Sequence, residues 1–108
     1  MTVALAQFAA GEDKQANLEA IRSYAQQAAQ SGASILFLPE YSMFYAKINR
    51  RSRNVQAAEP LTGASIQALA QIARTHGLWL AAGLYEQSDS LPYNTVAVLD
   101  ADGTVRSV

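Results

Sequence analysis

"SILFLPEYSMF", residues 34–44, decides how this chain folds. Four consecutive apolar residues, Ile35 to Leu38, run into Pro39 and then a carboxylate, Glu40. A run that is apolar at every position, and not at alternate ones, reads as a strand covered on both faces of a sheet. Pro39 closes it, because proline has no N–H for a ladder and holds the residue before it extended. Glu40 therefore emerges at the C-terminal end of a buried strand. The aromatic and sulfur-containing residues Tyr41, Met43 and Phe44 follow it.

Working outward, "TVALAQF" (residues 2–8) alternates loosely and reads as a first strand. Asp13 is placed to cap a helix over residues 14–30, in which Leu18, Ile21, Ala25 and Ala28 recur at helical spacing. Gly32 suits the left-handed position just past its end. Residues 41–61 read as a long irregular stretch, and such stretches inside compact domains are more often functional than ordinary connections are. Thr62 reads as the N-cap of a second helix, roughly Ala64 to Thr75, with Ile66, Leu69, Ala70 and Ala73 as its stripe and Gly77 at its end. "LWLAAGLYE" and "YNTVAVLD" are two further strands, "DADG" is a tight turn and "TVRSV" begins a fifth strand. Gly103 supplies the positive φ of that last hairpin.

The order β-α-β-α-β-β-β is an α/β chain whose sheet starts parallel and ends antiparallel. Two helices cover one face of a five-stranded sheet. "ILFL" and "LWLAAGL" demand cover on the other face as well, and nothing in the sequence obviously provides it. The sequence also ends within its predicted fifth strand, at Val108. These features make the chain read as a piece of something larger, with an open apolar face that favours association.

Composition bounds the chemistry. The 108 residues are half apolar, with a formal net charge of −1, so no global charge points to nucleic acid or an acidic surface. There is no cysteine, which excludes disulfides, thiolate metal sites and a cysteine nucleophile within these residues. No segment approaches the roughly 20 apolar residues of a membrane span. The start of the chain has neither a basic leader nor a long apolar run, so the expected location is cytoplasmic.

Glu40 is the leading candidate for chemistry. Ligands of open α/β sheets bind at the C-terminal ends of parallel strands, where it sits. Apolar neighbours would desolvate its carboxylate and raise its pKa toward a range useful for proton transfer. The plainer alternative is a solvated acid at the start of a loop. Asn94, at the start of the fourth strand, either ends a turn or hydrogen-bonds a catalytic group. His76 is the single histidine, and its place in the last turn of a helix explains it without catalysis or a metal. "KINRRSR" (residues 47–53) holds four of the eight basic residues. Without interleaved aromatics it reads as a solvated loop, not a nucleic-acid site. The tyrosines read mainly as boundary packing.

Taken in order, "VALAQF", "DKQANLEAIRSYAQQAAQSGA", "ILFLPE", "PLTGASIQALAQIARTHGLWLAAGLYE" and "YNTVAVLDADGTV" resemble the nitrilase, or carbon–nitrogen hydrolase, superfamily. The resemblance spans essentially the whole chain. It implies the N-terminal portion of an α-β-β-α sandwich, paired into a homodimer or higher homo-oligomer. It also implies hydrolysis of non-peptide C–N bonds in small amides, or in some members nitriles, by a Glu-Lys-Cys triad without a cofactor. The glutamate closing "FLPE" is that family's general base and matches Glu40. Tyr41, Met43, Phe44 and Asn94 would support the site. The family's lysine and cysteine have no counterpart here, and Lys47 stands on the wrong segment for that role. The chain alone is then expected to be inactive. A non-catalytic binding or assembly module that kept the fold's first half is the competing reading.

Overall fold

The computed structural model describes residues 1–50 and 52–108. Its element order is β1 (Val3–Leu5), α1 (Lys14–Gln30), β2 (Ile35–Phe37), a 3₁₀ turn (Ile48–Arg50), α2 (Ser52–Ala57), α3 (Ala64–His76), β3 (Trp79–Glu86), β4 (Tyr93–Leu99) and β5 (Val105–Ser107). The five strands form one sheet in chain order. β1, β2 and β3 pair in parallel, and β3, β4 and β5 pair antiparallel. The sheet therefore has the mixed character expected.

α1 begins where its local chemistry says. The Asp13 carboxylate accepts from the N–H groups of Gln15 and Ala16 at 2.9 and 3.2 Å, answering two donors that the first helical turn leaves free. Leu18, Ile21, Ala25 and Ala28 are buried. On α3, Ile66, Leu69, Ala70 and Ala73 are buried in the same core as Leu36, Leu80, Ala82, Leu84, Ala97 and Leu99 of the sheet. Both helices thus cover one face. Burying each leucine or isoleucine among them stabilises by about 1.5–3 kcal/mol, and each alanine by less.

The other face is open. Val3, Leu5, Phe37, Trp79 and Val96 are all exposed. Register puts them on one side: Phe37 pairs with Leu5 and Ala81, Trp79 with Ile35, and Gly83 with Val96. The double-sided apolar character of β2 and β3 is real in the sequence, but only the helical side is covered by these residues.

Three local expectations need correction. β1 and β2 are shorter than read, at three residues each. The stretch 41–61 is not irregular throughout: it contains the 3₁₀ turn and α2. α2 has no apolar stripe to betray it and is held by tertiary contacts. The buried Asn54 amide bonds the N–H and carbonyl of Ala46 at 2.8 and 3.1 Å, and Arg53 pairs with Glu12 at 3.0 Å. Arg50 meets the same carboxylate at 3.1 Å, so part of the basic run is tied to the loop before α1. Arg51 of that run lies outside the described residues. Finally, Thr62 does not cap α3. The N-cap is Gly63, which makes no side-chain bond. The capping acceptor comes from outside the helix: Glu59 accepts from Ser65 N at 2.8 Å. A side chain at 63 would collide with that carboxylate, 2.8 Å from Oε1.

At the end of the sheet, Gly103 turns the β4–β5 hairpin at φ 81°. Asp100 organises it, accepting from the N–H groups of Asp102 and Thr104 at 2.9 Å each and from Arg106 Nε at 2.6 Å.

Candidate functional site

Glu40 stands just past the C-terminal end of β2. Leu38 N donates to Ala81 O at 2.8 Å, continuing the β2–β3 ladder one step beyond Phe37. After Pro39 the chain arches, and it rejoins β3 at Ser42, whose N–H and hydroxyl both donate to Gly83 O, at 3.0 and 2.8 Å. Ser42 is fully buried. The arch places the main chain of Glu40 against Gly83, on the side where a Cβ of that residue would point. By strand alternation this is the open face, shared with Trp79 and Tyr85.

There Glu40 meets Asn94. Asn94 Nδ2 donates to Glu40 Oε1 at 2.5 Å. Asn94 sits opposite Tyr85 in the β3–β4 register, so its side chain rises on that same face. The structure thus brings together two of the residues picked from sequence. The expected desolvation of Glu40 is not found: its side chain, like that of Asn94, is exposed, because the face it occupies has no second layer among these residues.

The remaining candidates separate. Tyr41 stacks between Tyr85 and Tyr45, with ring centroids 5.0 and 5.3 Å apart. Burial, then the neighbouring Tyr41 and Tyr45 and the Glu40 carboxylate, push the Tyr85 phenol up to about 12. Phe8, Ala9, Ala10, Pro39, Glu40, Tyr41 and Tyr45 line a groove of about 280 Å³ at the C-terminal ends of β1 and β2. Met43 is instead buried in the core. Phe44 lies beside Lys14 and Ala57. Neither lines the groove at Glu40. A larger groove, about 560 Å³, lies between α1 and α3 with Arg22 and His76 on its walls. It is on the helical layer and offers no group that could work with Glu40.

Sequence reasoning missed the residues that hold the loops around Glu40. Asn17 on α1 is buried. Its amide bonds both backbone groups of Gly11, at 3.0 and 2.9 Å, and donates to Met43 O at 2.9 Å. One side chain therefore fixes the loop after β1 and the loop after β2. A polar residue beside Leu18 and Ile21 on the buried side of the helix was the available signal. Glu59 plays a similar part further along. Its carboxylate takes Lys14 Nζ and the Ser65 hydroxyl, and its backbone bridges to Tyr85 and Gln87. Burial alone would raise the Glu59 pKa; the bonds from Lys14 and Ser65 outweigh it and lower the pKa.

Chemically, the site offers one oriented carboxylate on an apolar sheet face with an aromatic wall beside it. A carboxylate so placed can take and return a proton. The chain contains no cysteine and so holds no thiol for it to activate. Among the described residues no helix is long and apolar enough to cross a membrane.

Sequence and fold both relate the chain to carbon–nitrogen hydrolases. The chain is 33% identical over 110 residues to the human deaminated glutathione amidase, covering 95% of the chain and 33% of the relative. It is 29% identical over 106 residues to the N-carbamoylputrescine amidase of Solanum tuberosum, covering 96% and 35%. It therefore spans about a third of the length of these curated relatives. Among solved structures, an amidase from Nesterenkonia sp. superposes with a TM-score of 0.81 at 28% identity, over 97% of this chain and 40% of that one. A mutant of that amidase shows Michael addition of acrylamide at its active-site cysteine. The five-stranded mixed sheet with its helices is thus part of the nitrilase fold. Residues 2–108 match the carbon-nitrogen hydrolase family model, and the chain belongs to that family.

Proposed function

We propose that these residues form the N-terminal part of an amidase-type hydrolase acting on a small non-peptide amide, with Glu40 as general base. The observation that carries this reading is the Glu40 carboxylate presented on the uncovered sheet face and oriented by Asn94. The amidases among the relatives support amide over nitrile as substrate.

The cysteine and lysine would come from sequence beyond Val108, and a further layer of the sandwich would cover the open face. Glu40 takes the thiol proton, the thiolate adds to the amide carbonyl, and the lysine ammonium stabilises the oxyanion. The proton then passes from Glu40 to the leaving nitrogen as the C–N bond breaks. In the second half Glu40 draws a proton from water, hydroxide attacks the thioester, and the acid and free thiol are released. No cofactor enters these steps. The groove walled by Phe8, Tyr41 and Tyr45 would receive part of the acyl group. The whole protein would be cytoplasmic and pair through further layers into a homodimer or larger assembly. Because these residues hold no cysteine, they would be inactive alone. That same absence is what favours the second reading, a binding or assembly module without catalysis.

The test is Glu40→Gln in the longer protein that carries the cysteine and lysine. Turnover of a simple aliphatic amide should fall by about 10²–10⁴-fold or more, the effect of losing a general base. Near-normal turnover would overturn the assignment. A mature protein that ends at Val108 and folds as a soluble species would leave the binding-module reading in its place.

A further inference from the structure

We propose that Gly83 is a positioning residue for Glu40, present because the catalytic arch needs the space a side chain would take. The inference rests on the reading of Glu40 as general base and adds what sets its height above the sheet.

In a regular parallel ladder, the residue two after Leu38 would donate to Gly83 O. Here that bond is made by Ser42, so four residue steps on one strand span two on the other. The excess forms the arch that carries Glu40. It is seated directly on Gly83: a Cβ at that position would lie 1.6 Å from Glu40 O, 2.2 Å from its carbonyl carbon and 2.6 Å from its Cα. These are backbone atoms, which cannot rotate away. Gly83 is not among the glycines with positive φ, so its conformation is open to any residue. The requirement is space alone. Glycine inside a strand weakens it, and a close approach of another backbone is a recognised reason for one to be there.

The consequence reaches the carboxylate. Restoring ordinary contact over a methyl group at 83 would lift the arch by about 2 Å. Asn94, by contrast, is fixed by the β3–β4 ladder, two register positions from Gly83. The 2.5 Å bond between Asn94 and Glu40 could not survive such a lift unchanged. Ser42 is the second half of the device, since its buried hydroxyl clamps the end of the arch to Gly83 O.

The experiment compares Gly83→Ala, Ser42→Ala and Glu40→Gln, singly and combined, in the longer active protein. Turnover is one readout and the rate of thiol alkylation by iodoacetamide is the other. A displacement of an ångström or more at a catalytic group costs about 10²-fold. Folded Gly83→Ala should therefore lose about that much in kcat with KM little changed, and should add nothing to Glu40→Gln in either readout. If Gly83→Ala does not fold, Ser42→Ala carries the test, with a loss of about tenfold that likewise vanishes in the Glu40→Gln background. Normal kcat in folded Gly83→Ala, or a Ser42→Ala loss equal in both backgrounds, overturns the inference while leaving Glu40 as base. An active Glu40→Gln would instead remove the reading on which it rests.

Discussion

Asn94 Nδ2 donates to Glu40 Oε1 at 2.5 Å, joining residues 54 positions apart in sequence. β4 holds the amide and the end of β2 holds the carboxylate, so the sheet itself orients the candidate base. Asn94→Ala should lower kcat in the longer protein by about 10–100-fold, because the amide holds the carboxylate in position. Asn94→Asp would set a second carboxylate beside the first. Like charges raise the pKa of one of them, so the acidic limb of the pH–rate profile should move to higher pH. An unmoved limb and normal kcat would show that Asn94 does not act on Glu40.

Glu59 joins α1 and α3 through its carboxylate and β3 through its backbone, and its pKa is lowered in the fold. A depressed carboxylate stabilises fully above its unfolded pKa, and that contribution is lost as pH falls through the folded value. Thermal stability should therefore decline below about pH 4.5, the ordinary value. Glu59→Gln should be about 1–3 kcal/mol less stable near neutrality and should show a shallower acid decline. Melting temperatures across pH 3–7, roughly the carboxylate range and above, check both parts. Parallel curves for the two proteins would contradict the linkage.

At the other end of the scale, the Tyr85 phenol is pushed up to about 12 from its ordinary 10. A raised acid is held neutral by the fold, so its contribution is whole below pH 10 and drains away as pH rises from 10 toward 12. Tyr85→Phe should flatten that alkaline loss. Phenolate absorbance during an alkaline titration should show one tyrosine ionising late in the native protein, and that late step should be missing from the variant. Five tyrosines titrating together in the native state would refute it.

The open sheet face makes a separate prediction for the 108 residues alone. Leu5, Trp79 and Val96 are exposed on it, at 80%, 41% and 51% of their accessible areas. The isolated chain should bind a hydrophobic dye or self-associate. Changing all three to lysine should suppress both. A monomer that binds no dye before substitution would mean that the face is covered in some other way.

What could be read from the sequence was local. Asp13 announced the start of α1 because a capping side chain bonds N–H groups two and three residues away. Gly103 announced the last hairpin because a tight turn needs a positive φ. The apolar stripes of α1 and α3 showed which faces would be buried. "ILFLPE" placed a carboxylate at a strand end, and the family resemblance raised Glu40 above the plainer reading. α2 stayed hidden because its six residues carry no stripe and are held through Asn54 and Arg53 by partners outside it, Ala46 and Glu12. Thr62 misled because a better acceptor, Glu59, arrives from a preceding bridge to β3.

By itself, then, the sequence determined the order of the strands and of the two long helices, the cap of α1, the helical stripes, the mixed sheet and the position of Glu40 at the end of β2. Each follows from propensities and periodicities acting over a few residues. Only the tertiary structure decided what surrounds Glu40: the amide of Asn94 from β4, the space left by Gly83 on β3, the clamp from Ser42 and the loops held by Asn17. Those relationships depend on register between strands far apart in the chain. A spacing in sequence carries no record of which backbone will lie over which glycine until the sheet has formed.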